Sequence, residues 1–151
     1  MVYYFAYGSN MSKEQMDKRI GCDNYSIFSK GKLLDYELKF NKTPKYTDNP
    51  NTGYANIESK TNSVVEGIIY EMGEDGISRL DSYEGVSYGH YYKKELIIQS
   101  SKGAVNCIVY LSDKTAKDLK PKKEYLNRLL AGRDYLSPEY LELLENVETV
   151  D

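Results

Sequence analysis

Two stretches of this sequence combine residue types that could do chemistry. The first is Tyr7-Gly8-Ser9-Asn10, where an apolar and aromatic run from Val2 stops at a turn-forming triplet. Ser12 and Gln15 follow at the spacing of a capping box, so the unit reads as strand, tight loop, helix. Such a loop presents unpaired backbone N–H groups at a helix N-terminus, which suits a carboxylate or a developing oxyanion. Gly8 lets a ligand approach the backbone, and Ser9 and Asn10 add side-chain hydrogen bonds. The same residues would also make a plain strand-to-helix turn. The second stretch is Leu80-Asp81-Ser82-Tyr83-Glu84-Gly85. A glutamate placed among aromatic rings has its pKa raised and can serve as a general base. Exposed to water, Glu84 would be one more solvated loop residue.

Other chemistries find less support. Ser9, His90 and Asp81 make a triad on paper, but no G-x-S-x-G context surrounds the serine. His90 reads instead as a capping or packing residue in the loop before a strand. Phosphate-loop and dinucleotide fingerprints are absent. With one histidine and no C-x-x-C, a metal site has little to stand on, and no cofactor is expected. Cys22 and Cys107 lie far apart and fit a reducing cytoplasm, with Cys107 as filler in an apolar strand.

The elements that must position these residues read as follows. After a first strand, a helix runs from about Ser12 to Ile20 and stops near Gly21. Tyr25 to Phe28 predicts a short strand broken by Gly31. Leu34, Tyr36, Leu38 and Phe40 then alternate with charged residues as in a strand with one wet face. Asn41 to Gly53, with Pro44 and Pro50, is the longest loop. Strands follow at Tyr54–Ile57 and Val64–Tyr70, with Gly67 marking a bulge or a close backbone approach. Glu74 to Tyr83 is a short helix. Tyr91–Gln99 and Ala104–Leu111 form a hairpin across Ser100–Gly103. A helix is expected from Pro121 to a stop at Gly132, and Ser137-Pro138 caps the last one. Strands come first and helices late, so the class is α+β.

The chain has 151 residues, which suits one domain over 1–151. Hydrophobic residues at 40% and charged residues at 28% describe an ordinary globular protein. A net charge of -3 and a pI near 5.3 argue against a nucleic-acid partner. The basic run from Lys114 to Arg128 reads as a solvated loop and helix face. No leader pattern and no apolar stretch approaching about 18 residues point to a membrane. The 16 tyrosines are unusual beside three Phe and no Trp. Tyrosine can line a polar cavity, although most of these must be strand and boundary residues.

The order of short motifs resembles the γ-glutamylcyclotransferase-like family. Tyr7-Gly8-Ser9-Asn10 is similar to its Y-G-S-N loop, and Leu80–Gly85 to its L-D-x-x-E-G. Gly89-His90-Tyr91 resembles the G-x-Y that follows. Gly53–Ile57 and Val65–Tyr70 resemble its G-x-A-x-I and V-x-G-x-x-Y strands, and Tyr125 and Leu136–Tyr140 its closing helices. Met11 stands where leucine is usual, and 41–50 matches no part of the pattern.

The resemblance implies a small mixed or antiparallel β-barrel flanked by short helices. It implies catalysis by Glu84 and substrate binding by Tyr7, Gly8, Ser9 and Asn10, with Tyr91, Tyr110 and Tyr125 as pocket tyrosines. The reaction implied is attack of a γ-glutamyl substrate's own α-amine on its γ-carbonyl, releasing 5-oxoproline and an amine. Metal, nucleic acid and membrane have no part in it, and a cytoplasmic monomer or homodimer is expected. Two alternatives remain: a binding module of the same fold without turnover, and an enzyme acting on γ-glutamyl-amines or a carrier-bound γ-glutamyl metabolite.

Overall fold

In a computed structural model that describes Met1–Asp151, five strands close into a barrel and four short helices pack on its outside. The strands are β1 (Val2–Ala6), β2 (Tyr25–Lys42), β3 (Tyr54–Met72), β4 (Tyr92–Ser100) and β5 (Gly103–Leu111). The helices are α1 (Lys13–Ile20), α2 (Glu74–Tyr83), α3 (Lys123–Leu130) and α4 (Pro138–Glu145). Around the barrel the order is β1-β3-β2-β4-β5. All pairs are antiparallel except the closing one, where Tyr4 of β1 meets Ile108 of β5 in parallel.

Alternation along β1 divides the core in two. Phe5 and Tyr7 join Leu33, Ile57, Val65, Ile69, Ile98, Cys107 and Val109 in a cluster built from strand residues, which fills the barrel. Tyr4 and Ala6 point the other way, joining Ile68, Tyr70 and Met72. Against them pack Met16 and Ile20 of α1, Ile77 and Leu80 of α2, Leu129 of α3 and Leu144 of α4. Each helix thus contributes the apolar stripe that its sequence spacing supplies. None of them is long and apolar enough to cross a membrane.

Three sequence-based expectations need correction. Gly31 does not break a strand: β2 runs unbroken from Tyr25 to Lys42. A Cβ at Gly31 would stand 2.8 Å from Ile98 Cγ2 and 2.9 Å from Ile69 Cγ1, so the glycine lets side chains of neighbouring strands close over the backbone. Likewise Tyr54–Ile57 and Val64–Tyr70 belong to one strand, β3, which pairs with β2 on both sides of an irregular polar stretch, Lys60–Ser63, in a long two-stranded arm. The chain there is polar because the arm is exposed, not because it turns. Pro121 does not begin a helix either. Its carbonyl accepts from the Val150 N–H, and α3 starts at Lys123 after Lys122. Gly67 does mark a close approach, since a Cβ there would lie 2.2 Å from the Ala6 carbonyl oxygen.

Candidate active site

The chain leaves β1 through Tyr7 and Gly8 into one 3₁₀ turn, Ser9–Met11. The N–H groups of Met11 and Ser12 close this turn on the carbonyls of Gly8 and Ser9, each at 3.1 Å. No turn or loop hydrogen bond uses the N–H of Gly8, Ser9 or Asn10, so three consecutive amides are unspent at the start of this turn. Ser12 caps α1 by accepting from the Gln15 N–H at 3.2 Å. The reciprocal half of the capping box does not form, because the Ser12 N–H is already spent. The Gln15 side-chain amide instead donates to Ser9 Oγ at 2.6 Å and to Asn10 Oδ1 at 2.9 Å.

Asn10 is the joint of the site. It is 3% exposed, and both polar atoms of its side chain and its carbonyl are engaged. Oδ1 accepts from Gln15 and, at 3.1 Å, from Arg19. Nδ2 donates to the Tyr4 hydroxyl at 2.9 Å and more distantly to Glu84 Oε1 at 3.4 Å. Its carbonyl accepts from the Tyr70 hydroxyl at 2.7 Å. With both ends held, the amide can turn only one way, and it presents N–H to the carboxylate.

Glu84 closes α2, its N–H donating to the Leu80 carbonyl at 2.8 Å. Gly85 follows with φ 65°, a left-handed turn that swings the chain away. The glutamate is largely buried, with 16% of its side chain exposed, and the nearest cation is Arg19 at 3.7 Å. Burial pushes its pKa up to about 7, while Arg19 and then Lys42 pull against that rise and Asp81 adds to it. Arg19 itself lies 4.9 Å over the Tyr83 ring.

A cavity of about 450 Å³ opens here, within the range of small-molecule sites. All eight residues singled out from the sequence line it: Tyr7, Gly8, Ser9, Asn10, Glu84, Tyr91, Tyr110 and Tyr125. Their tyrosine hydroxyls are mostly spoken for by the frame. Tyr7 donates to the Tyr110 carbonyl, Tyr91 to the Ala55 carbonyl, and Tyr125 accepts from the Ala55 N–H. Tyr110 donates from its hydroxyl to Asp81 Oδ1 on α2 at 2.7 Å. The tyrosines therefore form a wall whose hydroxyls are tied to the barrel and, through Asp81, to α2. Gly8 is held by this wall: a Cβ would meet Ala55 Cβ at 3.2 Å and the Tyr125 hydroxyl at 3.5 Å.

Ser9, His90 and Asp81 do not form a relay. Ser9 Oγ accepts from Gln15, His90 Nδ1 faces Lys42, and Asp81 is held by Tyr110 and Lys93. The sequence reading missed Tyr4, Gln15, Arg19 and Lys42 as lining residues. Gln15 and Arg19 could have been found, because a four-residue spacing puts both on one face of α1, above the loop that α1 follows. Lys42 carried no such signal.

The family model that matches, over residues 64–144, is described as the AIG2-like family. The chain is 30% identical over 149 residues to the γ-glutamylcyclotransferase of Mus musculus, spanning 96% of this chain and 78% of that protein. It is 29% identical over 152 residues to the Homo sapiens γ-glutamylcyclotransferase, spanning 98% and 79%. A solved structure of a γ-glutamyl cyclotransferase superposes with a TM-score of 0.88 at 26% identity, covering 99% of this chain and 89% of that one.

Proposed function

The chain belongs to the AIG2-like family and is an enzyme of the γ-glutamylcyclotransferase kind, and from that premise we propose that Glu84 and the Gly8–Asn10 loop carry its chemistry. The substrate is a small γ-glutamyl compound. Its α-amine attacks its own γ-carbonyl, so no second substrate has to be recruited and the enzyme's work is to select a folded conformer and move protons. Glu84 accepts a proton from the α-ammonium. The freed nitrogen adds to the carbonyl, giving a tetrahedral centre whose oxygen carries the charge. Glu84 passes its proton to the leaving nitrogen as the C–N bond breaks. The attacking nitrogen gives up a second proton to the same product, which departs as an ammonium beside 5-oxoproline.

The observation that carries this reading is a carboxylate held near pH 7, next to three unspent amides, in a cavity walled by aromatic rings. An ordinary α-amine near about 7.8 and an ordinary Glu near about 4.3 are mismatched by roughly 5 kcal/mol. With Glu84 at about 7 the mismatch falls to about 1 kcal/mol. The amides of Gly8 to Asn10 hold an anion there, either the α-carboxylate or the tetrahedral oxyanion. We place the enzyme in the cytoplasm, as a monomer or homodimer, in keeping with its two unpaired cysteines, Cys22 and Cys107.

The test is a panel of γ-glutamyl amino acids, γ-glutamyl-amines and γ-glutamyl peptides, read by mass spectrometry for 5-oxoproline. Release from at least one donor class is expected. Tight binding of a donor with no 5-oxoproline released would make the protein a binding module instead.

A further inference from the structure

Lys42 ends β2 at the cavity wall, in a setting rare for lysine. It is 3% exposed. Its ammonium donates to the Thr43 carbonyl at 2.8 Å and lies 3.0 Å from His90 Nδ1. None of the protein's salt bridges includes it. An ammonium has three N–H donors, and only two find an acceptor here.

Neither neighbour neutralises the charge. A carbonyl is only a dipole. A histidine nitrogen that accepts from an ammonium must be unprotonated, which puts the ring proton on Nε2 and leaves the imidazole neutral. Burial and the nearby Lys42 also hold His90 below its ordinary pKa. The face of the Tyr91 ring, 5.7 Å away, completes the surroundings. The carboxylates that act on Lys42, Asp48 and Glu84, lie beyond salt-bridge distance, and a buried cation with no carboxylate in contact is unfavourable unless something in the working protein supplies one. Lys42, His90 and Tyr91 all line the cavity that holds Glu84, so the counter-charge can come from a bound molecule.

We propose that Lys42, backed by His90, is a carboxylate-holding subsite for the substrate. The proposal rests on the γ-glutamyl reading above and adds to it a second anion site in the same cavity, distinct from the Gly8–Asn10 amides. A γ-glutamyl donor offers two sources: the α-carboxylate of its glutamyl part and, where the leaving group is an amino acid, that group's own carboxylate. Either would complete the third donor of Lys42 with a charge-assisted hydrogen bond.

Three donors separate the sources. γ-Glutamyl-alanine carries both carboxylates, γ-glutamyl-ethylamine lacks the leaving one, and 4-aminobutanoyl-alanine lacks the α one. Binding is measured by calorimetry in a Glu84→Gln parent and in the same parent carrying Lys42→Met. Affinity for γ-glutamyl-alanine should fall about tenfold or more, the scale of one lost charge-assisted contact. One of the two single-carboxylate donors should show the same fall, and the donor missing the carboxylate that Lys42 holds should not. Equal losses for all three donors, or no loss, would overturn the subsite. If Lys42→Met does not fold, Lys42→Gln serves, because it still donates to the Thr43 carbonyl while removing the charge. Turnover is read separately in proteins with intact Glu84. Lys42-dependent binding without 5-oxoproline would leave the subsite standing and remove the cyclotransferase reading. Turnover with Lys42-independent binding would do the reverse, and a protein that neither binds nor turns over any donor loses both.

Discussion

The end of α2 carries two carboxylates three positions apart, Asp81 and Glu84, in unlike surroundings. Asp81 accepts from the Lys93 ammonium at 2.8 Å and the Tyr110 hydroxyl at 2.7 Å, and its side chain is 26% exposed. Glu84 is more buried, and its nearest donors stand at 3.4 and 3.7 Å. Two short bonds to good donors spend a carboxylate's lone pairs on structure. A carboxylate with burial but no close partner keeps a pKa near neutrality and a free lone pair for a proton. The difference lies in the neighbours, since α2 delivers both side chains from one helix end.

The sharpest way to break the comparison is Glu84→Gln. Glutamine matches the size and keeps a hydrogen-bond acceptor for Asn10, yet takes no proton at neutral pH. Removal of a positioned general base costs about 10²–10⁴ in rate, and the loss should sit near the upper end because one group serves both transfers. Single-turnover formation of 5-oxoproline measures it. Turnover within threefold of wild type would mean that Glu84 is not the base.

The same variant sharpens the comparison through stability. The folded-state pKa of Glu84 is raised from 4.5 to about 7. Between those values the folded protein holds a proton that the unfolded chain has released, so stability from this group is full at low pH and is lost as pH rises toward 7. Above pH 7 the wild type carries a buried, ill-paired charge worth roughly 3 kcal/mol, at about 1.36 kcal/mol per pH unit. Glu84→Gln carries none. Urea unfolding should show it more stable than wild type by up to that amount at pH 8, and nearly equal at pH 4. An equal difference at both pH values would deny the raised pKa.

Asp81→Asn probes the other member. Asparagine can still accept from Tyr110 but loses the charge opposite Lys93, an exposed pair whose loss costs about 1 kcal/mol. The midpoint of urea unfolding should fall accordingly, with turnover kept within about threefold. A folded Asp81→Asn protein that has lost turnover would show that the two carboxylates share the proton transfer.

Much of this pairing was legible in the sequence, for physical reasons that differ by residue. The Gly8–Asn10 turn, the Ser12 cap and the end of α2 are local, and local chemistry shows in short windows. The barrel's closure by β1 and β5 came only through the family resemblance, because a single parallel contact between residues far apart leaves no periodic trace. Gly31 and the polar middle of β3 were misread because a glycine and a polar run look alike whether the chain turns or pairs in the open. Lys42 was invisible for the opposite reason. A lysine beside a loop is solvated as a rule, and only the packing of His90 and Tyr91 around this one makes it an exception.

The finest test concerns Arg19, which stands between the two states of Glu84. Its guanidinium is 3.7 Å from Glu84 Oε1 and 3.1 Å from Asn10 Oδ1, and it pulls the Glu84 pKa down against burial. Arg19→Gln removes the charge, so the Glu84 pKa should rise further. A general base works ionised, so kcat/KM climbs with pH through that pKa, and the climb should move to higher pH in the variant. The fall at higher pH, where the substrate's α-ammonium loses the proton that Glu84 relays, should stay where it is, because Arg19 does not enter it. Arg19→Lys, which keeps a cation, should move the climb less. A lower maximum with the climb unmoved would show that Arg19 acts by holding Asn10 in place. In that case the unlikeness of Asp81 and Glu84 would come from burial alone.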